Sequence, residues 1–316
     1  MERIYNLKPD KPDTRDFVFR SNRYDTGADL PPEVDLRPHM SPIVDQGALG
    51  SCTANAIVSG LREYHLNRDA KPYAALSRLF LYWHERELEG TIDEDSGAYI
   101  RDGMKVLQQR GVSPELLCPY DIPHFRDQPS ADAEQSAGAY KVLEYHRVID
   151  YQSLKAALAE ELPVVIGIAV YESFESLDVW SSGMIPMPKA SEKLLGYHAV
   201  LACGYKTFSD GVEYILCRNS WGANWGQFGY FWLPATYFTT DGLVTDMWTA
   251  TTRIGENDIT FEQAIELFVK EGIFNSLPFW QNFEAKYKAG QLTNADFEFV
   301  FLGFRKLAAR DMNRGE

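Results

Sequence analysis

The chain has no long apolar run: its strongest, Val164 to Val170, falls far short of the ~20 residues a helix needs to cross a bilayer. A membrane-spanning helix is therefore not expected. Basic residues are scarce relative to acidic ones, 31 Lys and Arg against 45 Asp and Glu, for a net charge of −14. That balance argues against a sequence-independent grip on nucleic acid or on a membrane surface, and reads most simply as solubility. Cysteine is scarce too, with only Cys52, Cys118, Cys203 and Cys217 in 316 residues. None stands in a CxxC pair or at zinc spacing from a His, and a chain this large does not depend on disulfide staples. The first ten residues lack the apolar core of a secretory signal. Together these absences lead to the expectation of a reducing, cytoplasmic setting. Hydrophobic residues at 45% and charged residues at 24% are the composition of an ordinary folded protein, which excludes whole-chain disorder.

Residues 1–33 carry Pro9, Pro12, Pro31 and Pro32, many charges and no helical period, and read as an extended arm lying on or beside a domain. From about Leu49 to His65 the apolar positions Ala54, Ile57, Val58, Leu61 and Tyr64 recur at helical spacing. Leu76 to Leu88 repeats the pattern, as does Gly103 to Gln109 with Gly111 as its stop. A fourth helix is predicted over Ser153 to Glu161, with Ser153 as N-cap and Pro163 ending it. Strand-rich runs follow at 164–170, 199–203, 213–217 and 229–233. Helices first and strands later predict an α+β protein with a helical half and a sheet half, and a cleft between two such halves is a common place for chemistry. Residues 253–316 read as a separate helical module, with helices starting near Thr260, Pro278 and Thr293; eleven of its 64 residues are Phe, Trp or Tyr, so it packs on something.

Four segments carry candidate chemistry. In the first, Gln46-Gly47-Ala48-Leu49-Gly50-Ser51-Cys52 opens directly into a helix. A thiol at a helix N-terminus feels the positive end of the macrodipole, which favours thiolate, and the unpaired amide groups there can hold an oxyanion. Gln46 could add a side-chain donor; the bland alternative for Cys52 is a buried structural thiol. In the second, Gly196-Tyr197-His198-Ala199-Val200 sets a histidine at the mouth of a strand, where a satisfied core histidine is the ordinary alternative. In the third, Asn219-Ser220-Trp221-Gly222 supplies an amide that can hold an imidazole in one tautomer and an indole that can keep water away. A fourth stretch, Asp95-Ser96-Gly97-Ala98-Tyr99, has residues small enough for a peptide backbone to approach closely.

Together these segments resemble the papain-like cysteine peptidases, with Gln46, Cys52, His198 and Asn219 in the family's order. The resemblance runs from about Pro32 to Thr252 and takes in Val34-Asp35-Leu36-Arg37, Cys118-Pro119-Tyr120 and Gly226 with Gly229-Tyr230. It implies a papain-like two-subdomain α+β fold, a helical half plus an antiparallel β-sheet or barrel half, over residues 34–252. It also implies Cys52 as nucleophile, His198 as base and acid, Asn219 as orienter, and Gln46 with the Cys52 amide as oxyanion hole. Gly97 and Ala98 would run beside the substrate backbone, and Ile100, Gly167 and Ala199 would wall an apolar pocket, with Tyr197 and Trp221 flanking the cleft. No metal or organic cofactor is implied, and the partner is a peptide or protein substrate.

The departures matter as well. Leu49 stands where secreted members usually have a disulfide cysteine, Thr53 replaces the usual aromatic after the nucleophile, and Tyr197 replaces the usual Asn or Asp before the histidine. Cys203 and Cys217 are expected as free core thiols. A long helical propeptide has no counterpart in residues 1–33, which leaves regulation unassigned; residues 253–316 are expected to dock on the catalytic domain or to mediate self-association. Two other readings stay open on these residues: a Cys-His acyl transferase, deamidase or ligase, and a catalytically silent peptide-binding scaffold.

Overall fold

Among the described residues seven β-strands form one open antiparallel sheet, in the spatial order Glu144–Arg147, Val244–Thr251, Val164–Tyr171, Leu194–Thr207, Glu213–Arg218 and Tyr230–Pro234, with Glu33–Asp35 paired on Leu194–Thr207. The computed structural model of the protein describes residues 3–21, 23–24, 30–252 and Lys286. The chain divides into two compact units, Met1–Arg253 and Ile254–Glu316. The helices expected from Thr260, Pro278 and Thr293 lie outside the described residues.

The first unit opens with β1 (Glu33–Asp35) and then builds its helical half. An α-turn, α1 (Cys52–Ala54), runs into a π-helical stretch at Asn55–Arg62 and on into α2 (Glu63–Arg68), so that one continuous rod follows the glycine-rich loop. Ile57, Val58 and Leu61 are fully buried on it, as their spacing requires. The π stretch was not visible in the sequence; wider turns of this kind frequently accompany functional sites. Next comes α3 (Arg78–Glu89), started by Ser77, whose hydroxyl accepts the Phe80 N–H at 3.0 Å, and ended by Gly90 at φ +69°. It packs beside α4 (Ile100–Gln109), which starts three residues earlier than its apolar pattern suggests. A short α5 (Ala131–Ala137) leads into the sheet half.

There the order is β2 (Glu144–Arg147), α6 (Tyr151–Ala159), β3 (Val164–Tyr171), α7 (Leu177–Ser182), β4 (Leu194–Thr207), β5 (Glu213–Arg218), β6 (Tyr230–Pro234), α8 (Thr236–Thr239) and β7 (Val244–Thr251). The N-cap of α6 is Asp150, whose carboxylate accepts the Ser153 N–H at 2.7 Å, not Ser153 itself. A carboxylate at the cap also suits the positive end of the dipole. Central β4 pairs with β3 over Leu194–Ala202 and with β1 over Gly204–Lys206. The rod that begins at Cys52 lies on this strand: a Cβ built on Gly60 would stand 3.1 Å from Leu201. That packing sets the start of the rod against the middle of β4, where His198 sits.

Candidate active site

His198 is fully buried on β4 and its Nε2 lies 2.9 Å from Oδ1 of Asn219, which follows β5. An amide oxygen only accepts, so Nε2 carries the hydrogen and Nδ1 is left as the free base; Nδ1 has no hydrogen-bond partner. The Ser220 N–H also donates to that oxygen, at 2.8 Å, which fixes the amide's orientation. The Trp221 indole stacks on the imidazole, centroids 4.9 Å apart at 27°, and shields the pair from water. Cys52, at the head of the rod, is buried and interacts with the backbone of Ala199, the residue after His198. Gln46 is held by two contacts: its Nε2 donates to the Leu49 carbonyl at 2.9 Å, and its Oε1 accepts from the Ser220 hydroxyl at 2.5 Å. One Nε2 hydrogen remains uncommitted. Tyr120, in the Cys118-Pro119-Tyr120 turn, braces this loop by donating to the Gln46 carbonyl at 2.9 Å.

The electrostatics reverse the direction that the helix N-terminus alone suggests. Burial pushes the Cys52 thiol up to about 12, against the smaller opposing pull of the Ala199, Thr53 and Cys52 backbone. Burial lowers His198 to about 4, with the Asn219 bond opposing and the Arg3 charge assisting. Desolvation of a wholly buried group outweighs the dipole, so the pair is neutral in this state. The reason is what fills the cleft.

The N-terminal arm lies in it. The Leu7 N–H donates to the Tyr197 carbonyl at 3.2 Å, the Tyr197 N–H to the Tyr5 carbonyl at 3.2 Å, and the Lys8 N–H to the Ala98 carbonyl at 3.1 Å. A Cβ on Gly97, at φ +66°, would stand 1.9 Å from the Asn6 carbonyl oxygen, so only glycine admits the arm there. Leu7 is 3% exposed, and a Cβ on Gly167 would be 2.9 Å from its Cδ2 and 3.6 Å from Ile100; Ala199 stands opposite Gly167 in the sheet. Tyr5 sits edge-on to His198 at 6.3 Å and its hydroxyl donates to Glu175, while the Arg3 guanidinium lies 4.2 Å over Trp221. Further along, the Asp10 N–H donates to Asp246 and its carboxylate accepts from Trp248 Nε1 at 2.7 Å. Asp16 meets Arg101 at 2.7 Å and Arg147 at 3.2 Å.

Every residue expected at the site is therefore gathered around one cleft: Cys52, His198, Asn219, Gln46 and Trp221 at its centre, Gly97, Ala98, Ile100, Gly167, Tyr197 and Ala199 around the arm. Sequence reading placed the arm only on or beside the domain and missed its residues Arg3, Tyr5, Asn6, Leu7 and Lys8, along with Glu89 and Glu175. Their contacts span from about 80 to about 220 positions and leave no local signal. All four cysteines are free thiols.

One measurement follows from the neutral pair. Alkylation of Cys52 in the unmodified chain should climb only at strongly alkaline pH, because a thiol raised to about 12 holds almost no thiolate near neutrality. A substitution that frees the arm should add a plateau at neutral pH. A neutral-pH plateau in the unmodified chain would contradict the buried state.

Residues 30–247 match the papain family cysteine protease group. Xylellain, a cysteine protease from Xylella fastidiosa, is 40% identical with a TM-score of 0.72, covering 79% of this chain and 96% of the other. An uncharacterized peptidase C1-like protein of Acanthamoeba polyphaga mimivirus is 36% identical over 78% of this chain and 86% of its own. A cathepsin L-like peptidase of Aedes aegypti is 31% identical over 64% of this chain and 58% of its own length. The fold is that of a papain-like α+β cysteine peptidase. The chain belongs to the papain family.

Proposed function

We propose that the chain hydrolyses peptide bonds through Cys52, His198 and Asn219, within residues 34–252. The observation that carries this reading is the His198–Asn219 bond of 2.9 Å beneath Trp221, with the Cys52 thiol against the next residue of the same strand. Once the cleft opens to a peptide, Cys52 gives its proton to the free Nδ1 of His198 and its sulfur attacks the carbonyl carbon. The developing oxyanion is met by the Cys52 N–H and the uncommitted Gln46 N–H. The C–N bond breaks as His198 protonates the leaving amine, which leaves a thioester. Water then attacks the thioester, His198 accepts its proton, and acid and free thiol are released.

By the family resemblance, the apolar pocket takes the side chain one position before the residue whose carbonyl is attacked. The arm passes from that pocket at Leu7 to His198 at Tyr5 with falling residue number, whereas a substrate would pass with rising number. The arm thus covers the cleft in the sense opposite to a cleavable peptide, and substrate access requires its displacement. The four free thiols suit a reducing compartment such as the cytoplasm.

The test is an epoxysuccinyl peptide probe with mapping of the labelled residue, alongside hydrolysis of a peptide library. Labelling of Cys52 with cleavage is the expected result. Labelling with transfer to an added amine but no hydrolysis would favour an acyl transferase instead, and neither labelling nor cleavage after arm release would favour a silent scaffold.

A further inference from the structure

Lys8, next to the residue in the apolar pocket, carries its ammonium to 2.5 Å from Glu89 Oε2. The other oxygen of Glu89 accepts the Tyr99 N–H at 3.0 Å, and the Lys8 ammonium lies 5.7 Å from the centre of the Tyr99 ring. The Glu89 side chain is 6% exposed, against 28% for Lys8. Its position is unfavourable for an acid. Glu89 is the last residue of α3, where the helix presents its own negative end, and Asp102 and Glu85 bear on it as further negative charges. Arg86 in the same turn gives its guanidinium to the carbonyls of Tyr82, Ile92 and Phe125, so it does not neutralise Glu89. Among the described residues Lys8 is the one cation paired with it.

A carboxylate so placed keeps its charge most readily with a cation in front of it. When the arm leaves, Lys8 leaves too, and the site is left for whatever peptide takes the arm's place. From this we infer that Glu89 and Tyr99 form a subsite for a Lys or Arg side chain beside the pocket of Ile100, Gly167 and Ala199. The cleft then selects peptides with an aliphatic residue in the pocket preceded by a basic one. The inference rests on reading the cleft as peptide-binding, and it does not require that the peptide be cleaved.

The experiment uses the full-length chain with Leu7→Asp and Lys8→Ala, which displaces the arm from the pocket and removes its ammonium from the subsite. Peptides share Leu for the pocket and differ only in the preceding residue. Cleavage of the Lys and Arg peptides should exceed that of the Glu peptide by about tenfold or more in kcat/KM, the scale of one partly buried charge pair. Adding Glu89→Gln keeps an acceptor for the Tyr99 N–H and removes only the charge; the ratio should fall toward one. The preference in the arm-released chain with Glu89 intact should also weaken with added salt. Binding of the same peptides to the arm-released chain that also carries Cys52→Ala, read by fluorescence anisotropy, separates the two readings. A Lys-over-Glu binding preference without any cleavage in the Cys52-intact protein would sink the peptidase reading and keep the subsite. Equal binding of Lys and Glu peptides, or a preference untouched by Glu89→Gln, overturns the subsite and makes Glu89 an anchor for the arm alone.

Discussion

Replacing Cys52 by Ala should lower turnover of an amide substrate by about 10⁵-fold or more, and His198→Ala by a similar factor, because nucleophile and base act as one unit. The double variant should be no worse than either single one. Asn219→Ala should be milder. It leaves the buried Nε2–H of His198 without the acceptor now 2.9 Å away, a loss of about 1–3 kcal/mol, or roughly 10- to 100-fold in rate. Kinetics of the three variants in an arm-released background check the order. Wild-type turnover in Cys52→Ala would remove the thiol from the mechanism, and additive losses in the double variant would separate its role from that of His198.

The second large effect is a gain. Leu7 fills the apolar pocket of the cleft and is 3% exposed. Removing that contact forfeits about 1.5–3 kcal/mol of burial, which moves the equilibrium between covered and open cleft by roughly 10- to 100-fold. Leu7→Asp goes further, since a carboxylate in that pocket faces Gly167 and Ile100 with no partner among them. The full-length variant should therefore cleave peptides at least about tenfold faster than the unmodified chain, until the open state dominates and the gain saturates. Phe17 is the control: it belongs to the same arm but is 78% exposed, so Phe17→Ser should change little. Equal activity in Leu7→Asp and the unmodified chain, with the arm equally protected from an added protease, would show that the arm does not limit access.

The two effects meet at the Cys52 thiol. With the arm in place, burial raises the thiol and lowers the imidazole, so the neutral forms are favoured. Opening the cleft returns water to both groups and allows the opposite charges to form side by side. The covering of the cleft thus bears on the protonation state of the pair as well as on access to it.

What the residues alone determined is what depends on near neighbours in the chain. The rod after Cys52 follows from apolar positions at helical spacing, α3 from the same spacing over Leu76 to Leu88, and the strand of His198 from a β-rich run. Gln46, Cys52, His198 and Asn219 were legible because each sits in a short segment whose residue types have little other use together. Packing decided the rest. The rod includes a π stretch that lies on β4 at Gly60 and Leu201, a contact no local pattern marks. Asp150, not Ser153, caps α6, and β2 and β7 find each other across about a hundred residues. The protonation of Cys52 inverted because burial is a property of everything around a group, not of its place on a helix. Most of all, nothing local in Arg3 to Lys8 marks a segment that lies in a cleft. Its partners Glu89, Tyr197 and Trp221 stand far along the chain, and only the folded sheet and helices bring them within hydrogen-bonding and stacking distance of it.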